Sequence, residues 1–232
     1  MREYWNCYWT CQEGEYHRKQ KLKCQDRTAY KEKGSRQAIA MVDGVGKTNW
    51  NPIAGEQIAN TVAEFLLEYF DAIPREMTRY MGQILIKKIY DIIFKMMNAY
   101  QQPASEFNFT LLGACIDHES GKYCAIHLGD GAIVCGGETN RIVSYPFHGE
   151  RENETCLVLS DQVLKYLKFH SGDMKAMGYL ALCTDGAYEN GNNLKEVFTK
   201  IRELRERNSL KNGMDDMGII VLESRLQMAS FC

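Results

Sequence analysis

The chain has 232 residues, enough to bury a large core and closer to one full-sized domain than to two small ones. Its 28 Lys and Arg nearly balance 30 Asp and Glu, which excludes the basic excess usual for a nucleic-acid scaffold. No apolar run approaches the roughly 20 residues needed to span a bilayer, so neither nucleic acid nor membrane is expected as a partner. The nine cysteines are odd in number and irregularly spaced, and no CxxC occurs. Cys7, Cys11 and Cys24, with His17, do not have zinc spacing. Arg2, Glu3 and Asn6 interrupt any apolar opening, so no signal peptide is expected. Thiols packed as small hydrophobes in a reducing cytoplasm are the simplest reading.

Residues 4–11 mix Tyr, Trp, Cys and Thr and suit a strand, and Gly14 marks a turn. The run 37–42, QAIAMV, suits a buried strand and stops at Asp43-Gly44. Helical spacing then takes over. Ile58, Val62, Phe65, Leu66 and Tyr69 predict a helix over about 54–71, and Met81, Leu85, Ile89, Ile92 and Met96 a second over about 77–99. Beyond Pro103 strands dominate, at 107–116, 123–128, 132–135, 141–145 and 155–159. A helix is expected over about 161–170, capped by Ser160 or Asp161. A strand follows at 179–184, an amphipathic helix at 194–207 and a last strand at 219–222. Helices and strands in separate blocks, without linker or repeat, point to a single α+β layered domain over 1–232.

Three apolar runs each deliver an aspartate at a glycine turn: Asp43-Gly44, Asp130-Gly131 and Asp185-Gly186. Asp215-Asp216 precedes a fourth run, and Asp26 stands upstream. Singly, each Asp-Gly is an ordinary hairpin turn. Gathered at one side of a domain, the same residues would form a carboxylate cluster. Like charges in such a cluster raise one another's pKa, and divalent cations resolve the conflict. Oxygen ligands without histidine favour Mg²⁺ or Mn²⁺ over Zn²⁺. Spacing alone leaves scattered turns and a metal cluster both open.

The segments HRKQKLKCQDR, AIAMVDGVG, TLLGACI, YCAIHLGDGAIV, YLALCTDGAYE and MDDMGIIVLE resemble, in order, those of the metal-dependent serine/threonine protein phosphatases of type 2C. The opening segment is most similar to a bacterial subgroup. The resemblance covers nearly the whole chain. It implies an α/β/β/α sandwich, two antiparallel sheets flanked by helices, with two Mn²⁺ or Mg²⁺ ions at one edge and room for a third. It further implies hydrolysis of phosphoserine and phosphothreonine in proteins by metal-activated water, within a kinase and phosphatase signalling pair.

Residue by residue, the family's metal ligands match Asp26, Asp43, Asp185 and Asp215, with the backbone carbonyl of Gly44. Asp130 and Glu189 match its additional metal-site acids. Arg18 and Lys21 are the nearest counterparts of the arginine that clasps the phosphate; chemistry favours Arg18 and register Lys21. The sequence also departs from the family. Val45 stands where eukaryotic members carry a histidine that protonates the leaving group. Lys47, Thr48 and Asn49 replace glycines, and Gly218 replaces a threonine. Two other readings follow from these departures: a catalytically weak regulator that binds phosphoproteins, and a phosphatase of small metabolites. The one CxxxxxR spacing, Cys135 to Arg141, runs through the Gly136-Gly137 turn between two expected strands, and thiol-based phosphoryl transfer ranks below metal chemistry.

Overall fold

A computed structural model describes residues 4–45, 50–73, 78–147, 155–188, 194–207 and 213–224. Ten strands form two antiparallel sheets. The strands are β1 (Asn6–Gln12), β2 (Arg27–Lys33), β3 (Arg36–Val42), β4 (Leu111–Asp117), β5 (Lys122–Leu128), β6 (Ala132–Gly136), β7 (Arg141–Ser144), β8 (Lys168–Asp173), β9 (Tyr179–Cys183) and β10 (Met217–Glu223). One sheet runs β2-β3-β4-β5-β8 and the other β1-β10-β9-β6-β7. The helices are α1 (Glu15–Gln20), α2 (Asn51–Tyr69), α3 (Thr78–Tyr100), α4 (Val163–Tyr166) and α5 (Leu194–Arg207).

Side-chain alternation along β3 explains the layering. Ala38, Ala40 and Val42 join Ala54, Ile58 and Val62 of α2 and Ile89 of α3 in one core. Ile39 and Met41 point the other way and pack between the sheets with Leu112, Leu182 and Ile220. A third core seats Val197, Ile201 and Leu204 of α5 on Ala181, Ile219 and Val221 of the second sheet. Each large side chain so buried contributes about 1.5–3 kcal/mol. Because both faces of β3 are covered, its sequence is a continuous apolar run rather than an alternating one. The result is the α/β/β/α sandwich expected for a type 2C phosphatase.

Two segments differ from their sequence expectation. The helix expected over 161–170 closes after Tyr166, and Lys168–Asp173 becomes β8, paired with the free edge of β5. Ser171 and Gly172 are weak helix formers, and the unpaired edge of β5 offers their backbone groups better partners. Residues 155–159 form no strand. There the Val158 amide donates to the Phe109 carbonyl at 3.0 Å and the Leu159 amide to Asn108 Oδ1 at 3.1 Å, so no ladder is needed. Residues 15–20, left without a predicted element, form α1 behind Gly14. Among the described residues no helix is long and apolar enough to cross a membrane.

Candidate metal centre

Strand register carries the aspartates to one edge of the sandwich. Arg27 pairs with Val42, which sets Asp26, just before β2, beside Asp43, just after β3. Cys183 on β9 pairs with both Ala132 and Ile219. Asp185, after β9, therefore lies near Asp130 in the β5–β6 turn and Asp215 ahead of β10. Single carboxylate oxygens of Asp43, Asp130 and Asp185 lie within 4.8 Å of one another. A cavity of about 500 Å³ opens over them, lined also by Tyr16, His17, Gly44, Val45, Ser105, Glu106, Thr110, Thr155 and Asp215. Asp26 is fully buried beneath it.

Around these carboxylates a shell of donors holds position. Thr155 Oγ1 donates to Asp130 Oδ2 at 2.6 Å, and the Tyr188 hydroxyl donates to the Asp130 carbonyl. The Thr110 amide donates to the Asp43 carbonyl at 2.9 Å. Gly44 pairs with Phe109 in an isolated bridge, which keeps it on the cavity wall. Thr184 Oγ1 donates to Asp26 Oδ2 at 2.9 Å and accepts the Gly218 amide at 2.8 Å. A Cβ on Gly218 would stand 2.9 Å from the same Asp26 oxygen, so the carboxyl occupies the room a threonine side chain would need.

The electrostatics are those of crowded anions. Burial, then Asp26, Asp185, Asp130 and Asp215 push the Asp43 carboxyl well above the usual carboxylate range. Asp43 keeps a partly open face toward the cavity, but protein closes its other sides. Burial raises Asp26 too, against the pull of the Thr184 hydroxyl and with the push of Asp216 and Asp185. Asp185 is pushed up to about 7 by burial, then by Asp130 and Asp215. Asp26 Oδ1 is buried without a donor. Asp43 is near enough for the two carboxyls to share a proton when one is neutral, but when both ionise neither can donate. A buried oxygen without a donor, inside a cluster that resists ionisation, fits a divalent cation held by hard oxygen ligands.

The other sequence candidates are placed differently. The Arg18 guanidinium donates to the Glu13 carbonyl at 3.0 Å and is exposed. Lys21 is exposed at the end of α1 with a left-handed φ of 57°. Neither is among the residues lining the cavity, and no Arg or Lys is among the described ones that do. Glu189, Lys47, Thr48 and Asn49 lie outside the described residues. Asp216 is buried and is not among the residues lining the cavity. It accepts the amides of Gly14 at 2.8 Å and Gln25 at 2.5 Å. These supporting groups escape sequence reasoning, although Thr184 directly before Asp185-Gly186 was a usable signal.

Solved structures share the fold, among them the following three. A serine/threonine phosphatase of S. agalactiae is 13% identical with a TM-score of 0.66, over 96% of this chain and 100% of that one. A bacterial serine phosphatase is 14% identical with a TM-score of 0.59, over 95% and 98%. RsbX in complex with magnesium is 14% identical with a TM-score of 0.55, over 97% of each. No curated protein sequence matches the chain. The family model for protein phosphatase 2C matches residues 13–217, and the chain belongs to that family.

Proposed function

We propose that the chain is a Mn²⁺- or Mg²⁺-dependent phosphatase of phosphoserine and phosphothreonine in proteins. The observation that carries this reading is the convergence of Asp43, Asp130 and Asp185 over the buried, donor-poor Asp26. Asp26, Asp43, Asp185, Asp215 and the Gly44 carbonyl would hold two ions, with Asp43 central because it feels all four other aspartates. Asp130, joined by Glu189, would serve a third, weaker site. When bound, the ions supply Lewis acidity to the phosphoryl oxygens and to the attacking water.

The chain's own residues supply the rest. Thr184, Thr155 and Thr110 fix the ligand carboxyls and their turns, so that little reorganisation is needed as charge develops on phosphorus. Val45 and Tyr16, both exposed and both lining the cavity, leave the mouth open enough for a residue carried on a protein surface. Signalling supplies the setting, with a kinase whose products this chain removes. Purified protein with Mn²⁺ should release phosphate from phosphoseryl and phosphothreonyl peptides faster than from phosphosugars. Preference for the sugars would replace the protein substrate with a metabolite.

A further inference from the structure

His17 is the only basic side chain among the described residues lining the cavity. It stands on α1, and its Nδ1 lies 2.8 Å from Asp216 Oδ2, with side-chain exposures of 13% and 3%. The approach is bent away from an aligned hydrogen bond, so the carboxylate fixes the ring by close contact. Asp216 is itself pinned by the Gly14 and Gln25 amides, and no lysine or arginine competes for it among the described residues. With Nδ1 buried against Asp216, Nε2 is the ring nitrogen left for the cavity.

We infer that His17 is the general acid of this site and that Asp216 is its positioning residue. The inference rests on the hydrolase reading above and deepens it. A serine or threonine alkoxide is a poor leaving group in water, so the departing oxygen needs a proton as the bond breaks. In the step, water oxygen forms a new P–O bond and its proton passes to solvent. The bond from phosphorus to the seryl or threonyl oxygen breaks, leaving its electron pair on that oxygen. Nε2–H gives its proton there, releasing the free hydroxyl side chain, and neutral His17 is reprotonated from solvent. Asp216 takes no part in the transfer and holds the ring.

The leaving group separates this role from others. p-Nitrophenolate departs without protonation, whereas a seryl oxygen does not. With Mn²⁺, His17→Gln should lower kcat on a phosphoseryl peptide by at least about 100-fold and kcat on p-nitrophenyl phosphate by less than about threefold. Mn²⁺ affinity by titration calorimetry should match wild type, and added imidazole should restore peptide turnover to His17→Ala. Equal losses on both substrates, a rise in KM alone, lost Mn²⁺ binding, or no loss on the peptide would each overturn the assignment. Wild-type protein inert toward both substrates with Mn²⁺ would overturn the hydrolase reading and this assignment with it.

Discussion

Thr184 donates its hydroxyl to Oδ2 of Asp26 over 2.9 Å, which leaves Oδ1 of the same carboxyl buried and without a donor. The hydroxyl aims Asp26 at the other carboxylates. Thr184→Val keeps the shape and removes the donor. It should weaken Mn²⁺ binding about 10- to 100-fold, the usual cost of losing a group that orients a metal ligand. Titration calorimetry checks this, and an unchanged affinity would leave the hydroxyl with a packing role only.

Asp215 and Asp216 pass between two glycines. A Cβ on Gly14 would collide with the Asp215 backbone, and one on Gly186 with the Asp216 carbonyl. Gly186→Ala should therefore cost about 1–3 kcal/mol of folding stability through overpacking, and should loosen Mn²⁺ with it. Gly121→Ala is a control of a different kind, since its positive φ of 65° meets open space and strains only the backbone. Urea denaturation with and without Mn²⁺ should show metal-linked loss for the first variant alone.

The carboxyl cluster makes stability depend on pH in a defined direction. Burial, then Asp130 and Asp215, push Asp185 up to about 7 in the fold, against about 3.9 for an unfolded aspartate. Asp26 and Asp43 move the same way. Between those values the folded chain binds more protons than the unfolded chain, so stability falls as pH rises. This contribution is complete below about pH 4 and lost above about pH 7. In chelator, the melting temperature should fall between pH 5 and pH 8, and less steeply in Asp185→Asn. The gain in melting temperature from Mn²⁺ should grow over the same range, because cation binding needs the ionised carboxylates. A gain that shrinks with pH would contradict the assignment of these carboxyls as ligands.

Arg18 and Lys21 carry a separate expectation. Both are exposed and neither is among the cavity-lining residues, so Arg18→Ala and Lys21→Ala should each keep kcat and KM within about threefold of wild type, as surface changes usually do. A KM raised at least about tenfold in one variant would show that its side chain reaches the phosphate once substrate binds.

Legibility of the sequence followed burial. The central strands β3, β5, β6, β9 and β10 are wholly or mostly buried, and each reads as an apolar run. β2 and β8 are edge strands with Lys31, Glu32 and Lys33 on one and Lys168 and Asp173 on the other, so neither has an apolar signature. Asp43, Asp130, Asp185 and Asp215 were visible because each flanks a central strand, whereas Asp26 precedes the edge strand β2 and stood out only through the family resemblance. Their supports were not, because the contacts are remote in sequence: Gly14 meets Asp216 across 202 positions and Thr184 meets Asp26 across 158. The same remoteness hid the approach of His17 to Asp216.

Phosphate release from a phosphoseryl peptide, measured with Mn²⁺ and then with excess EDTA for wild type and Asp43→Asn, decides most directly whether the carboxylate edge is a hydrolytic metal centre. Asp43→Asn keeps the size of the side chain and removes the charge at the middle of the cluster. Wild type should turn over with Mn²⁺ and stop in EDTA, and the variant should lose at least about 100-fold in kcat, the scale of losing one strong transition-state stabiliser. Turnover that survives excess EDTA, or an Asp43→Asn protein that matches wild type, would contradict it.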